Sequence, residues 1–434
     1  MRALIKGGRV LDPANGVDAI QDVLIQEGKI ARLAGGLEPP EGTPVINAAG
    51  KVVCPGFIDM HVHLREPGYE YKETVATGTK AAAAGGFTAV ACMANTNPVN
   101  DNGSVTDYIR AKARSEGSVR VYPIGAVSRG LEGQELAELA ELAEAGCVAF
   151  SDDGHPVMNS ALLRRAMEYT LPFGLPIISH AEDAHLAQGG VMNEGVVSTE
   201  LGLTGRPAAA EEVMVARDLC LADLTGAHVH IAHISTAGAV RLVRDAKARG
   251  IRVSAEVTPH HLLLTEEAVR GYSPNTKMNP PLRTKRDQEA LLEALADGTI
   301  DCIATDHAPH ALSEKEGDFD AAAFGIVGLE TAVSLLLDRL VRPGLLDLTT
   351  LITRLTTGPA RLLNLPGGSL APGVDADVTI LDLERELTIE PERFHGKSQN
   401  TPFGGWRATG MPWMTLCGGR VAMTERVVKG GLHA

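Results

Sequence analysis

The sequence lacks the features that mark nucleic-acid-binding, membrane and secreted proteins. Its 40 lysines and arginines are outnumbered by 54 aspartates and glutamates, for a formal charge of -14, and no basic stripe with interleaved aromatic residues argues for nucleic-acid binding. No stretch approaches the roughly 20 apolar residues of a membrane span. Residues 1–8 are too short and too interrupted for a signal peptide. We therefore expect a cytoplasmic protein that binds neither nucleic acid nor a membrane.

The sequence also lacks paired cysteines. Its 6 cysteines show no C-x-x-C spacing, and most lie inside apolar runs such as residues 146–150. This pattern predicts buried free thiols and argues against a disulfide framework or a structural zinc site. The six are Cys54, Cys92, Cys147, Cys220, Cys302 and Cys417.

What is present is an alternation of strands and helices. The chain has 434 residues, of which 44% are hydrophobic, enough for one large domain and a smaller one. Between residues 55 and 364, short apolar strands alternate with amphipathic or Ala-rich helical stretches, which predicts an α/β fold of the TIM-type (β/α)8 barrel kind. A doubly wound open sheet is the alternative, but no Gly-rich phosphate-binding sequence follows the first strand. The predicted barrel strands are 56–61, 88–93, 119–125, 147–152, 175–179, 228–233, 252–257 and 301–305.

The two flanks of this region differ from it in predicted secondary structure. Residues 1–54 and 365–434 consist of short strands and turns with little helix, including a predicted hairpin turn at Glu27-Gly28. We therefore expect the two termini to combine into one small β-sandwich-like domain beside the barrel.

Polar residues with metal-binding side chains end five of the predicted strands. In a barrel of this kind the carboxyl ends of the strands converge on one pocket. Nitrogen and carboxylate ligands without a thiolate suit zinc or a similar divalent ion. Six ligands fit two ions that share a carboxylate, which would hold a bridging hydroxide and polarise a carbonyl group for hydrolysis. The six residues are His61, His63, Asp153, His180, His233 and Asp306.

Two motifs give the chain a specific resemblance. The sequences HVHLREPG at 61–68 and DHAPH at 306–310 resemble the paired signatures of dihydroorotases, cyclic amidohydrolases of pyrimidine biosynthesis. Further similar motifs cover nearly the whole chain, among them residues 95–98, 179–182 and 277–283. Related hydantoinases and allantoinases bridge their metals with a carboxylated lysine, whereas the matching strand end here offers Asp153. That is the pattern of the class I, bacterial long-type dihydroorotases.

The resemblance implies a role for each metal ligand. It implies two Zn²⁺ ions per subunit, with a single ion as the alternative. His61, His63 and Asp306 would hold the first ion, His180 and His233 the second, and Asp153 would bridge them. Asp306 would also be catalytic: it would accept a proton as the bridging hydroxide attacks the ring amide, and deliver it to the departing ring nitrogen.

The resemblance also implies residues that bind the substrate. Arg65 offers the planar guanidinium that a carboxylate prefers. The remaining members of the predicted substrate-binding set are His63, Asn95, Asn279, His310 and the backbone at Phe324 and Gly325. The polar segment 311–320 is predicted to be a mobile loop over the pocket.

Neighbouring polar residues receive other interpretations. Strand alternation turns Asp152 away from the ligand cluster, so it is expected to be structural, and His307 points away from Asp306 by the same parity. His230 has the parity opposite to His233, which favours hydrogen bonding in the core. His260 and His261 follow the seventh strand, and their roles stay open.

The expected activity is the reversible conversion of (S)-dihydroorotate to N-carbamoyl-L-aspartate, the third step of pyrimidine biosynthesis. One alternative is another cyclic amidohydrolase, acting on hydantoins or allantoin. A second is a non-catalytic scaffold that supports aspartate transcarbamoylase. The sequence leaves open whether the chain forms a homodimer and whether it associates with aspartate transcarbamoylase.

Overall fold

The computed structural model describes residues 1–430, so residues 431–434 of the predicted small domain lie outside the described residues. Its strands are β1 (Arg2–Asp12), β2 (Val17–Gln26), β3 (Lys29–Ala34), β4 (Val45–Asn47), β5 (Val52–Pro55), β6 (Phe57–Val62), β7 (Phe87–Cys92), β8 (Arg120–Pro123), β9 (Ile177–Ser179), β10 (Met192–Asn193), β11 (Gly205–Arg206), β12 (Val229–Ile231), β13 (Val253–Val257), β14 (Cys302–Ile303), β15 (Val378–Thr388), β16 (Arg407–Cys417), β17 (Arg420–Thr424) and β18 (Val427–Val428).

The helices follow the predicted alternation with the strands. They are α1 (Val75–Ala84), α2 (Gly103–Glu116), α3 (Leu139–Ala145), α4 (Ser160–Thr170), α5 (Val196–Leu201), α6 (Ala209–Thr225), α7 (Ala237–Ala248), α8 (Pro259–Leu263), α9 (Lys285–Asp297), α10 (Leu312–Lys315), α11 (Ala332–Leu336), α12 (Leu348–Leu355) and α13 (Thr357–Leu362). Side chains cap several N-termini: Thr74 caps α1, Thr236 caps α7 and Thr284 caps α9. Each accepts a hydrogen bond from an amide that the first helical turn leaves unpaired.

The two chain termini build one nine-stranded sheet. Its order is β18-β17-β16-β15-β5-β1-β2-β3, and β4 pairs with β1. The join between the termini is the antiparallel pairing of β15 with β5, in which Ile380 lies opposite Val53. Both side chains are fully buried in the same apolar cluster. The expected β structure from both termini is therefore confirmed, while the domain limits at 54/55 and 364/365 stay a prediction.

The barrel consists of two parallel sheets that isolated bridges join into a ring. Strands β6-β7-β8 form one sheet and β9-β12-β13-β14 the other. Phe150 bridges the two sheets by pairing with Gly125 and Ile177, and the pair Val62 and His307 closes the ring. The eight-membered parallel ring has the architecture expected of the α/β barrel.

The fourth predicted barrel strand, 147–152, is the main local difference. It pairs through the single residue Phe150 instead of forming a ladder. Side-chain hydrogen bonds replace the ladder after this residue: Ser151 Oγ donates to the Ile178 carbonyl, and Asp152 accepts from the Val127 and Ser128 amides. The chain leaves strand geometry early because these polar side chains bind neighbouring backbone groups.

All six cysteines are free thiols, as expected, but their burial differs from the prediction at one position. Five are buried, whereas Cys220 is exposed. Cys220 lies in α6 next to the buried Leu219, so the apolar sequence around it marks one face of a helix and not a fully buried segment. None of the helices among residues 1–430 has the length and apolar character needed to cross a membrane.

Candidate active site

The six predicted metal ligands lie together at one end of the barrel ring. His61 is in β6 and His63 follows its end, His180 directly follows β9, and His233 and Asp306 come shortly after β12 and β14. All are buried, with exposures between 0% for His61 and 7% for His180 and Asp306. The parallel strands therefore place side chains that are up to 245 positions apart in sequence around one point.

Asp153 is at the centre of this cluster. Its Oδ1 lies 3.4 Å from His61 Nε2, 3.3 Å from His180 Nδ1 and 3.4 Å from His233 Nε2. Its other oxygen, Oδ2, lies 3.5 Å from His63 Nε2. One carboxylate thus faces all four imidazoles, which is the position that a bridging ligand needs.

Asp306 faces the histidine pair of the first barrel strand. Its Oδ1 lies 3.1 Å from His63 Nε2 and 3.4 Å from His61 Nε2. Two overlapping triplets have ligand atoms within 4.8 Å of one another, and both contain His61. The triplets are His61, His63 and Asp306, and His61, Asp153 and His233.

The chemistry of this cluster fits a divalent cation. His61 Nε2 is fully buried and has no hydrogen-bond partner among the described residues, although it points between two carboxylates. A buried polar atom without a partner costs about 1–3 kcal/mol. Coordination to a cation would satisfy this nitrogen and neutralise the two buried carboxylates.

Three residues of this region have a left-handed backbone that side chains other than glycine rarely adopt. The φ angles are 61° at Arg65, 31° at His233 and 49° at Asp306. Such conformations cost about 1–3 kcal/mol each and persist where the surroundings impose them. Backbone strain is therefore present at two of the predicted ligands, His233 and Asp306, and at Arg65, the predicted carboxylate-binding residue.

The charges in the cluster shift its pKa values in opposite directions. Burial opposes the charged form of His61, but the carboxylates of Asp153 and Glu256 outweigh it and raise the pKa well above the ordinary value. Burial likewise opposes the ionised form of Asp153, yet His61 and the neighbouring histidines hold its pKa well below the ordinary value. For Asp306, burial is again outweighed by His61 and His63, so its pKa is lowered. Both carboxylates are therefore deprotonated at neutral pH.

Glu256 is a site residue that the sequence analysis did not identify. It lies within β13, and its Oε1 accepts a hydrogen bond from His61 Nδ1 at 2.6 Å and one from the His233 amide at 3.2 Å. Its Oε2 lies 3.2 Å from His230 Nε2. By accepting the hydrogen bond from His61 Nδ1, Glu256 orients the ring so that Nε2 is directed at the cluster. The sequence signal that could have identified Glu256 is an acidic residue inside a largely apolar, buried strand.

Arg65 lies next to the ligand cluster with its charge largely uncompensated. Its Nε donates to the Pro309 carbonyl at 3.2 Å, and within residues 1–430 it forms no ion pair with a carboxylate. Burial lowers the pKa of Arg65, while the more distant charges of Asp306 and Asp153 act in the opposite direction. A half-buried guanidinium without a carboxylate partner is suited to bind a carboxylate ligand.

The two predicted asparagines contact ligand histidines. Asn95 Oδ1 accepts from His63 Nδ1 at 2.9 Å, which leaves His63 Nε2 free to face Asp306. Asn279 Nδ2 lies 3.2 Å from His180 Nε2, and its Oδ1 is buried without a partner in the described part of the chain. The structure thus brings both residues to the cluster, and their substrate contacts stay a prediction.

His310 lies close to Arg65, and His310, Phe324 and Gly325 already bind one another or other protein groups. His310 Nε2 donates to the Phe324 carbonyl at 2.7 Å, and burial together with the charge of Arg65 lowers the pKa of His310 to about 3. Gly325 donates its amide to the Lys277 carbonyl at 3.0 Å. A role for the Phe324 and Gly325 backbone in substrate binding stays a prediction.

The neighbouring polar residues have structural partners. Asp152 accepts from the Val127 and Ser128 amides, and His307 Nδ1 accepts from the Gly328 amide. His261, in α8, bonds through its two ring nitrogens to Thr258 Oγ1 and the Pro280 carbonyl. The predicted loop 311–320 contains the short helix α10.

Comparisons with known proteins place the chain in one family. Residues 50–239 match a family model described as dihydro-orotase-like. The chain is 58% identical over 429 residues to the dihydroorotase of Pelotomaculum thermopropionicum, covering 99% of this chain and 100% of that protein. It is 54% identical over 421 residues to the dihydroorotase of Geobacter metallireducens, covering 97% and 99% of the two chains. The chain belongs to the dihydroorotase family.

Solved structures of similar fold show how widely this architecture is shared. The L-hydantoinase of Arthrobacter aurescens superposes with a TM-score of 0.90 at 26% identity, over 99% of this chain and 98% of that one. The dihydropyrimidinase of Brevibacillus agri superposes with a TM-score of 0.87 at 26% identity, over 99% and 96%. Sequence identity therefore separates the dihydroorotase family from proteins of the same fold, and the chain is a cyclic amidohydrolase.

Proposed function

We propose that this protein is a zinc-dependent dihydroorotase that interconverts (S)-dihydroorotate and N-carbamoyl-L-aspartate, the third step of pyrimidine biosynthesis. The observation that carries the proposal is the position of Arg65, an uncompensated guanidinium beside a buried cluster of four histidines and two aspartates. Dihydroorotate combines the two groups that this arrangement suits, a carboxylate and a ring amide. Sequence identity of 54% to 58% with dihydroorotases supports the same substrate.

Six residues would hold the metal. His61, His63 and Asp306 would bind one Zn²⁺ ion, His180 and His233 a second, and Asp153 would contact both, with one ion as the alternative stoichiometry. When bound, such ions polarise the substrate carbonyl and supply a water molecule that is deprotonated near neutral pH. The support for this assignment is the unpartnered His61 Nε2 and the 3.3–3.5 Å approach of Asp153 to all four imidazoles.

Asp306 would move the proton. Its lowered pKa keeps it as a carboxylate at neutral pH, able to accept a proton as the ring amide is attacked. The Asp306 carboxyl group would then give this proton to the ring nitrogen as the bond between that nitrogen and the carbonyl carbon breaks. In the reverse direction, Asp306 would take a proton from the carbamoyl nitrogen of N-carbamoyl-L-aspartate.

Arg65 would bind the substrate carboxylate outside the reacting amide. With a pKa of about 3, His310 is neutral at physiological pH, and because its Nε2–H is donated to the Phe324 carbonyl, its Nδ1 can accept a hydrogen bond from the substrate without adding charge. The six ligands are buried, each at most 7% exposed, so bulk water has little access to the metal-binding atoms.

The substrate proposal is tested by comparing turnover of dihydroorotate, hydantoin and allantoin by the zinc-loaded protein. Dihydroorotate should be hydrolysed with a kcat/KM at least about 100-fold above the other two, because only it carries the carboxylate that Arg65 recognises. Arg65→Met should lose most of this preference. Arg114→Met, at an exposed arginine of α2, is the matched control. Turnover of hydantoin or allantoin without turnover of dihydroorotate would exclude the proposal.

The other proposed functions have less support. A scaffold without activity would not need buried, charged ligands, and all six are present. The free thiols agree with a cytoplasmic location, where disulfides rarely form. We therefore propose a cytoplasmic enzyme. A homodimer and an association with aspartate transcarbamoylase remain proposals that sedimentation of the purified protein with and without the partner would test.

A further inference from the structure

Lys315 is a buried cation that the proposed reaction does not use. It ends helix α10, its side chain is 7% exposed, and within residues 1–430 it forms no ion pair. Burial lowers the pKa of Lys315 to about 7, and the charge of Lys277 adds to this effect. A buried ammonium without a carboxylate is costly, so the groups that bind it must offset a large desolvation penalty.

Three backbone carbonyls bind this ammonium. Lys315 Nζ donates to the carbonyl of Ala323 at 2.8 Å, of Gly325 at 3.0 Å and of Lys277 at 3.3 Å. An ammonium has three hydrogen-bond donors and no acceptor, so these bonds use its full capacity. A neutral side chain of the same length could not replace them.

The three carbonyls belong to two different chain segments. Ala323 and Gly325 lie in the segment that follows β14, whereas Lys277 lies in the segment between α8 and α9. The segments are also joined directly, because the Gly325 amide donates to the Lys277 carbonyl at 3.0 Å and Lys277 Nζ donates to the Asp320 carbonyl at 2.8 Å. Lys315 therefore lies at the junction where these segments meet.

Both segments carry residues of the proposed substrate site. Asn279, two residues after Lys277, contacts His180. The Phe324 carbonyl, adjacent to both Ala323 and Gly325, accepts from His310. A change in the spacing of the two segments would move Asn279 and His310 relative to Arg65 and the ligand cluster.

We propose that Lys315 is a positioning residue that holds the 277–279 segment against the 323–325 segment and thereby sets the geometry of substrate binding. This inference rests on the proposed dihydroorotase function. Lys315 does not touch the substrate or the metal ligands. Its effect is on how tightly the enzyme binds dihydroorotate and N-carbamoyl-L-aspartate, and much less on the chemical step.

The test replaces Lys315 by methionine, which keeps the length and removes the three donors. The KM for both substrates should rise at least about tenfold, while kcat changes less than about threefold and the zinc content stays that of wild type. Lys80→Met, at an exposed lysine of α1, is the matched control. Lys315→Gln keeps two neutral donors and should give the same split with a smaller rise in KM, which preserves the test if methionine prevents folding.

A measurement without substrate separates this inference from the proposed function. Hydrogen exchange of the Gly325 amide should be faster in K315M than in wild type and K80M, because the bond to the Lys277 carbonyl loses its support. Unchanged exchange and unchanged KM would overturn the proposal. A parallel loss of kcat, zinc and thermal stability would also overturn it, since this would show a general structural role. If wild type does not turn over dihydroorotate, the function fails and the exchange result still decides whether Lys315 joins the two segments.

Discussion

Glu256 illustrates which functional residues were accessible from the sequence. His61, His63 and Asp306 could be predicted as ligands because each lies near the end of a strand, where a barrel collects its functional side chains. Glu256 lies one residue before the end of β13 and acts on His61, which is 195 positions away. Such a pairing depends on neighbouring strands in three dimensions, and no local sequence pattern reports it.

The role of Glu256 gives a prediction about metal affinity. Glu256→Gln should lower zinc affinity by about 10- to 100-fold, for two reasons. An amide is a poorer acceptor than a carboxylate for the His61 Nδ1–H, and it lacks the negative charge that offsets positive charge in the cluster. Zinc affinity is measured by competition with a chromophoric chelator. Glu289→Gln, at an exposed glutamate of α9, is the control. Equal zinc affinity in wild type and E256Q would show that this hydrogen bond does not orient His61.

Among the elements, the barrel strands with long apolar runs were predicted best and the fourth strand least well. Residues 147–152 have the composition of a strand, but Ser151 and Asp152 bind neighbouring backbone groups and end the pairing at Phe150. Segment 311–320 was predicted as a mobile loop from its polarity. Its Phe319 and Lys315 are nevertheless buried, against apolar residues and carbonyls that are distant in sequence.

The pairing of β15 with β5 gives a second prediction. Lys51 Nζ, just before β5, lies 2.6 Å from Asp382 Oδ2 in β15. Burial opposes ionisation of Asp382, but the hydrogen bond and charge of Lys51, together with backbone amides of Glu384 and Arg385, outweigh it and lower the pKa below the ordinary value of 3.8. Asp382→Asn should therefore reduce the free energy of unfolding at pH 6 by about 1 kcal/mol or less, since the pair is partly exposed.

The pH dependence of this effect has a definite sign. A carboxylate with a lowered pKa in the folded protein stabilises it above pH 3.8, and this contribution is lost as the pH falls through the folded-state pKa. The stability difference between wild type and D382N, measured by urea unfolding, should shrink below pH 3.8. Asp245→Asn, at an exposed aspartate of α7, should show little difference from wild type at any pH. A difference that grows in acid would contradict the assigned ion pair.

In the molecule as a whole, the ligand cluster links distant parts of the barrel. Its six side chains come from five separate stretches of sequence around the ring and place two carboxylates among four buried imidazoles. Without a cation, these groups are held together against a large desolvation cost. Metal binding should therefore stabilise the folded chain as well as enable the reaction.

Metal removal tests this coupling. Treatment with a chelator should lower the Tm measured by calorimetry, and added zinc should restore it. When free zinc is 100-fold above its Kd, binding should increase the free energy of unfolding by about 3 kcal/mol. His61→Ala, which removes the ligand common to both triplets, should respond far less to chelator and zinc. An unchanged Tm of the wild-type protein after complete removal of metal would contradict the proposed site.

The sequence by itself determined the barrel class, the contribution of both termini to one β structure, and the six side chains of the cluster. These follow from local periodicity and from motifs, which are properties of neighbouring residues. Tertiary structure alone decided that Glu256 would orient His61 and that Lys315 would bind three carbonyls of two segments. Both depend on which buried groups lack another partner, and that is set by how distant segments pack and exclude water.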